Sequence, residues 1–134
     1  MIIDASVWVS RLVPSDANHT VSERWLTRYV SRGEPIILPA TMPVEVAGAI
    51  ARRTNDEVFA RSVVAELVWN PLIELVEVSR EVSEISARVA ARLRLRGMDA
   101  IYVALAESRG IPLITWDEDI LFRAARAIDV AKPS

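Results

Sequence analysis

Three carboxylates of this chain stand alone in apolar surroundings. Asp4 is the only charged residue before Arg11, within Met1-Ile2-Ile3-Asp4-Ala5-Ser6-Val7-Trp8-Val9. Glu45 is the only charge between Glu34 and Arg52, and Asp99 the only one between Arg96 and Glu107. A fourth acid, Asp117, closely follows the apolar run Ile111-Pro112-Leu113-Ile114. A buried, unpaired carboxylate costs several kcal/mol or more, so isolated acids in such runs need compensation. A bound divalent cation provides it. With only oxygen ligands and no histidine cluster, the ion that suits these acids is hard and octahedral, Mg2+ or Mn2+, rather than zinc.

The acids share a pocket only if the intervening elements bring them together. Strand-like and helix-like patterns alternate. Ile2-Ile3 opens a short buried strand, and helical spacing runs from Ala5 to Val13 until Pro14-Ser15-Asp16 breaks it. A second helix starts at the capping groups of Asn18-His19-Thr20 and ends at Gly33, and Pro35 to Pro39 is a proline-bracketed strand. Thr41 caps a helix through Arg53, and Asn55-Asp56 restarts the chain as a helix to about Trp69. Leu72 to Val78 is a strand, and Ser79 opens an amphipathic helix that Gly97 closes. Asp99 opens the next helix, to Ser108, and Ile111 to Thr115 is a buried strand. Thr115 and Glu118 have capping-box spacing for a last helix to about Ala127, before an edge strand at Ile128 to Val130. The alternation predicts an α/β fold: a central parallel sheet of four to five strands, helices on both faces, and residues 1–134 as one domain. Ligands of open parallel sheets bind beyond the carboxyl ends of the strands, where all four acids fall.

Taken singly, each acid has a plainer reading. Asp4, Asp99 and Asp117 can each cap a helix, and Glu45 can complement a helix dipole. It is the shared position at one end of a sheet that separates the two readings.

The bulk composition excludes much else. At 134 residues, 51% hydrophobic and 25% charged, the chain has the make-up of an ordinary globular protein. It contains no cysteine, hence no disulfide, zinc thiolate or cysteine nucleophile; this is compatible with the cytoplasm. No apolar run is long enough to span a membrane, and no basic leader precedes an apolar stretch at the N-terminus. A net charge of −2 does not mark a nucleic-acid binder, so attraction to a polyanion must come from local arginines and bound metal. Arg88 and Arg92 share a helix face and read as a solvated pairing with Glu81 and Glu84. Arg52-Arg53 suit a helix C-terminus, and Arg11 can border the site. The lone His19 reads as a surface loop residue. Of the four tryptophans, Trp116 lies nearest the acids, between Thr115 and Asp117.

At these residues the sequence resembles the PIN-domain ribonucleases, and among them the VapC-like toxins of toxin–antitoxin pairs. Ile2-Ile3-Asp4-Ala5-Ser6 looks like that family's opening strand, and Leu38-Pro39 through Val44-Glu45-Val46 like the segment that carries its glutamate. Arg96-Gly97-Met98-Asp99-Ala100 through Ala106 matches its D-A-x-x-x-A-x-A helix start, and Pro112-Leu113-Ile114-Thr115-Trp116-Asp117 its L-x-T-x-D motif. The resemblance covers essentially the whole chain. It implies metal-dependent hydrolysis of RNA, with Asp4, Glu45, Asp99 and Asp117 holding Mg2+ or Mn2+. It further implies that Ser6 and Thr115 orient ligands, that Asp119 can add an outer carboxylate, and that the partners are a VapB-like antitoxin and a second copy of the chain. Two rivals are a binding module that holds metal or RNA without cutting, and a PIN nuclease of RNA processing outside a toxin–antitoxin pair. A phosphoacceptor domain built on Asp4 would need a nearby lysine, and the only one is Lys132.

Overall fold

A computed structural model describes all residues, Met1–Ser134. Its centre is the strand β1 (Ile2–Ile3), two β-branched residues with no solvent exposure. Strands covered on both faces read as unbroken apolar runs, and β2 (Ile36–Pro39) and β4 (Leu113–Ile114) on either side of β1 are built the same way. With β3 (Ile73–Val76) and β5 (Val130–Ala131) at the edges, the sheet has five parallel strands in the order β3-β2-β1-β4-β5. Ile2 stands opposite Ile37 on one side and Leu113 on the other.

Seven helices connect the strands: α1 (Ala5–Leu12), α2 (His19–Val30), α3 (Met42–Thr54), α4 (Glu57–Val68), α5 (Arg80–Leu93), α6 (Gly97–Arg109) and α7 (Glu118–Ala124). The chain steps outward from β1 to β2 to β3, then crosses back beyond β1 to β4 and β5. Right-handed crossovers place helices on one face for the outward steps and on the other for the return, as predicted. Accordingly α1 packs on α2 and α3, and α3 on α4, while α5 packs on α6, which lies against β1, β2 and β4 and touches α7. The reversal at β1 opens a crevice between the carboxyl ends of β1 and β4. No helix is long and apolar enough to cross a membrane.

Several expected boundaries move, each for a local reason. Gly97 does not close α5. That helix ends at Leu93, with Arg94 in the left-handed region (φ 56°) and its N–H on the Ala90 carbonyl; Gly97 is the first residue of α6. The buried Leu95 also donates to the Ala90 carbonyl, so the turn is fixed by burial rather than by a glycine. Asp99 therefore lies in the third position of α6, not at its cap. The cap of α7 is Asp117, whose Oδ1 accepts from Ile120 N at 3.0 Å, and not Thr115, whose hydroxyl turns inward. Thr41 precedes α3 in a helical rather than extended conformation, and its hydroxyl makes no cap. β5 starts two residues late because Ala127 and Ile128 still donate to the Ala124 carbonyl. On α5, Glu84 pairs with Arg80, while Arg92 forks onto Glu107 of α6 with both contacts at 2.7 Å; neither Arg88 nor Arg92 meets Glu81 or Glu84.

A left-handed conformation costs an ordinary L-residue roughly 1–2 kcal/mol, partly offset by the greater freedom of glycine in the unfolded chain. Arg94→Gly should therefore stabilise the protein, by up to about 1 kcal/mol. A rightward shift of the urea unfolding midpoint at constant m-value checks this, and a leftward shift refutes it.

Candidate active site

The crevice is closed by hydrogen bonds that tie β1 to the segment after β4. Asp4, 5% exposed, follows β1 in an extended conformation and caps α1. Its Oδ2 accepts from Ser6 N at 3.2 Å, Ser6 Oγ at 2.5 Å and Thr115 Oγ1 at 2.8 Å. Both hydroxyls are also acceptors: Trp116 N donates to Ser6 Oγ at 3.0 Å, and Asp117 N to Thr115 Oγ1 at 2.9 Å. Ser6 and Thr115 thus set Asp4 and, through the backbone, the residue that carries Asp117. All the donors to Asp4 converge on one oxygen, and Oδ1 takes none from the protein.

The remaining acids arrive from other elements. Glu45 lies in the first turn of α3 and accepts at Oε1 from Tyr102 Oη at 3.1 Å. Tyr102 is completely buried on α6, and burial, reinforced by Glu45 and Asp4, raises its pKa, so it stays protonated and remains a donor. Asp99 lies one turn before Tyr102 on the same helix. Arg96 spans two of the acids, Nε to Asp99 Oδ2 at 2.7 Å and Nη2 to Asp117 Oδ2 at 2.6 Å.

The four acids form one electrostatic unit. Burial raises the Asp4 pKa against the pull of Ser6 and Thr115, and Asp117 raises it further. Burial raises Asp99 as well; Arg96 lowers it, and Asp117 and Asp4 raise it. Burial lifts Glu45 to about 7, with Tyr102 lowering and Asp4 and Asp99 raising. Burial is the larger cause at each of these acids, and the neighbouring carboxylates add to it. No three acids or histidines are drawn together tightly enough to hold one ion as they stand. Arg96 is the physical reason at Asp99 and Asp117, since its guanidinium occupies the side of both carboxylates that faces the other. The donor set nevertheless fits a hard divalent cation: carboxylate oxygens only, one of them on a buried aspartate that no protein donor reaches.

A family model for the PIN domain matches residues 1–127. The chain belongs to the PIN domain family. Among solved structures, this PIN domain is similar to VapC20 of Mycobacterium tuberculosis, a sarcin–ricin loop cleaving toxin, with TM-score 0.78 and 20% identity over 96% of this chain and 97% of the other. It is similar to a toxin–antitoxin complex from Klebsiella pneumoniae (TM-score 0.64, 17% identity, 99% and 97% covered). It is also similar to VapBC2 of Rickettsia felis, bound to a DNA fragment from its promoter (TM-score 0.71, 9% identity, 99% and 98% covered). At such identities the likeness is one of fold. A search of curated proteins finds no match.

In this PIN domain the structure brings Asp4, Glu45, Asp99 and Asp117 to one end of the sheet, with Ser6 and Thr115 between them. Asp119 is not among them. Two residues past Asp117 it has turned roughly 200° around α7, and it pairs on the surface with Arg123 at 3.4 Å. His19 is not in a loop but opens α2, with Nδ1 3.2 Å from the Ser10 carbonyl. Arg11 does not line the cleft beside the acids; Arg52, Arg53 and Arg96 do. The sequence hides the part played by Arg96, because its two partners lie 3 and 21 residues away. Tyr102 carries a detectable signal, a hydroxyl in the apolar stretch Ala100 to Ala106, which must find a partner once buried.

Proposed function

We propose that this PIN domain is an Mg2+- or Mn2+-dependent endoribonuclease and the toxin of a VapBC-like toxin–antitoxin pair. The observation that carries the proposal is geometric: Thr115, Tyr102 and Arg96 hold Asp4, Glu45, Asp99 and Asp117 at the switch point of a PIN sheet. When bound, the ion would supply positive charge to the scissile phosphate and activate a water for attack on phosphorus. The chain's own residues do the rest. Asp4, Glu45, Asp99 and Asp117 would offer the ligand oxygens. Ser6 and Thr115 hold Asp4 in one rotamer, leaving Oδ1 toward the ligand. Tyr102 fixes Oε1 of Glu45, which leaves Oε2 for the ion. No protein nucleophile is required.

The partner proposals follow from the same reading. A basic antitoxin segment would find its complement in the acidic pocket, and the toxin–antitoxin complexes among the similar folds support such a partner. A homodimer is proposed as well, on the resemblance to VapC-like toxins. An RNA substrate and an antitoxin partner together set the protein in the cytoplasm. The rival, a module that binds without cutting, draws on Arg96 standing between two of the acids.

One assay decides between them. Purified protein incubated with total cellular RNA should cut it in Mg2+ or Mn2+, and EDTA should stop the reaction; mapping the ends names the substrate. Cleavage that persists in EDTA refutes the mechanism. Binding of RNA with no cleavage in either metal selects the rival.

A further inference from the structure

The cleft beside the acids, about 640 Å3 in volume, has a part that the acid chemistry leaves unused. Ser6, Glu45 and Arg96 line it and belong to the acid site; Gly48, Arg52 and Trp116 line it and do not. Trp116 is fixed there. Its Nε1 donates to Ser22 Oγ at 2.7 Å, and the fully buried Ser22 is in turn bonded to the buried Ser10. With the polar edge of the indole committed inside the protein, what Trp116 offers the cleft is apolar ring surface held in place.

Gly48 gives the second observation. It lies in the interior of α3, where glycine weakens a helix relative to alanine. A Cβ at this position would meet Arg52 Nη1 at 3.1 Å, so the guanidinium lies back along the helix against Gly48. Arg53 is paired with Asp16, whereas Arg52 makes no ion pair and keeps its donors for the cleft. An aromatic ring and an unpaired guanidinium lining one groove suit a nucleotide: the ring can take a base, the fork a phosphate.

We propose that this part of the cleft binds one unpaired nucleotide of the RNA beside the cut, its base stacked on Trp116 and its phosphate held by Arg52, with Gly48 making room for the guanidinium. The inference rests on reading the acid site as a ribonuclease. The base must be unpaired, because the face of a base is open to a side chain only when it leaves its own stack.

The test is cleavage kinetics in Mn2+ on a short single-stranded RNA that the protein cuts, and on copies with one abasic residue at each position in turn. For the wild type, one abasic position next to the cut should raise KM by about tenfold. Trp116→Leu should raise KM on the intact RNA by a similar factor at nearly unchanged kcat, and should no longer distinguish the abasic copy; Trp116→Phe should still do so. Arg52→Gln and Gly48→Ala should each raise KM. Gly48→Ala should at the same time raise the melting temperature, a divergence that a purely structural glycine would not produce. These two replacements at the cleft surface carry the test if the leucine variant does not fold. If RNA is cut but no abasic position matters, or if Trp116→Leu keeps the wild-type KM, the subsite is overturned and the ribonuclease reading stands. If the wild type cuts no RNA at all, both fall.

Discussion

Replacing Asp99 by asparagine should slow RNA cleavage by more than about a hundredfold and leave the fold intact. Loss of a residue that merely orients a metal ligand costs 10–100-fold, and Asp99 is proposed as a ligand itself. The substitution keeps the side chain's shape and its carbonyl oxygen for Arg96, and removes only the charge. If Asp99 served only to complement the dipole of α6 or to hold Arg96, the effect would be confined to stability, at roughly 0.3–1 kcal/mol, with cleavage untouched. The like charges of Asp4 and Asp117 press on Asp99, so the metal-free variant also gains from their relief. Urea unfolding should accordingly place it within about 1 kcal/mol of wild type. Initial rates in saturating Mn2+ together with that unfolding curve separate the two roles; a full wild-type rate in the variant would rule out the proposed mechanism.

The second large effect concerns pH. In the folded protein the Glu45 carboxyl titrates at about 7, against an ordinary value of 4.5, because it is desolvated and lies near Asp4 and Asp99. Between those values the folded chain holds a proton that the unfolded chain has lost, so metal-free stability falls as pH rises through this window. Asp4 and Asp99, also raised, push the same way. Ion binding requires the ionised carboxylates and runs in the opposite direction: Mn2+ affinity should rise by about tenfold per pH unit from pH 5 to 7 and level off above. Melting temperature should thus hardly respond to Mn2+ at pH 5 and respond fully at pH 8, and titration calorimetry should register proton release on binding. Glu45→Gln should flatten the slope. Affinity that does not change between pH 5 and 7, or a glutamine variant with the wild-type slope, contradicts this account.

What could be read from the chain before folding was whatever is encoded locally. Ile2-Ile3 ahead of Asp4 announces a buried strand ending in an acid, and the sheet, its parallel sense and the gathering of four acids at one end all follow from such local runs. Boundaries were legible only where one residue decides them. Gly97 looked like a terminator because glycine commonly is one; the burial of Leu95 two residues earlier settled the matter instead, and that is a tertiary fact. The same holds for Thr115, whose capping spacing to Glu118 is real but whose hydroxyl has a better use on Asp4, 111 residues away. Asp119 could have been set aside from helical geometry alone. Arg96, Trp116 and the pair Gly48–Arg52 could not have been assigned, because their meaning lies in a crevice that no short segment contains.

The insertion of β4 beside β1 has a consequence for how the molecule comes into being. The pocket's first acid, Asp4, is made with Ser6 beside it but 111 residues ahead of Thr115, its second hydroxyl donor, and its last acidic neighbour follows only at Asp117. Contacts this remote in sequence are also slow to form. A ribosome translating this stretch therefore faces, from Asp4 until Asp117 has been added, a nascent product that cannot yet assemble the chemistry the folded form would carry.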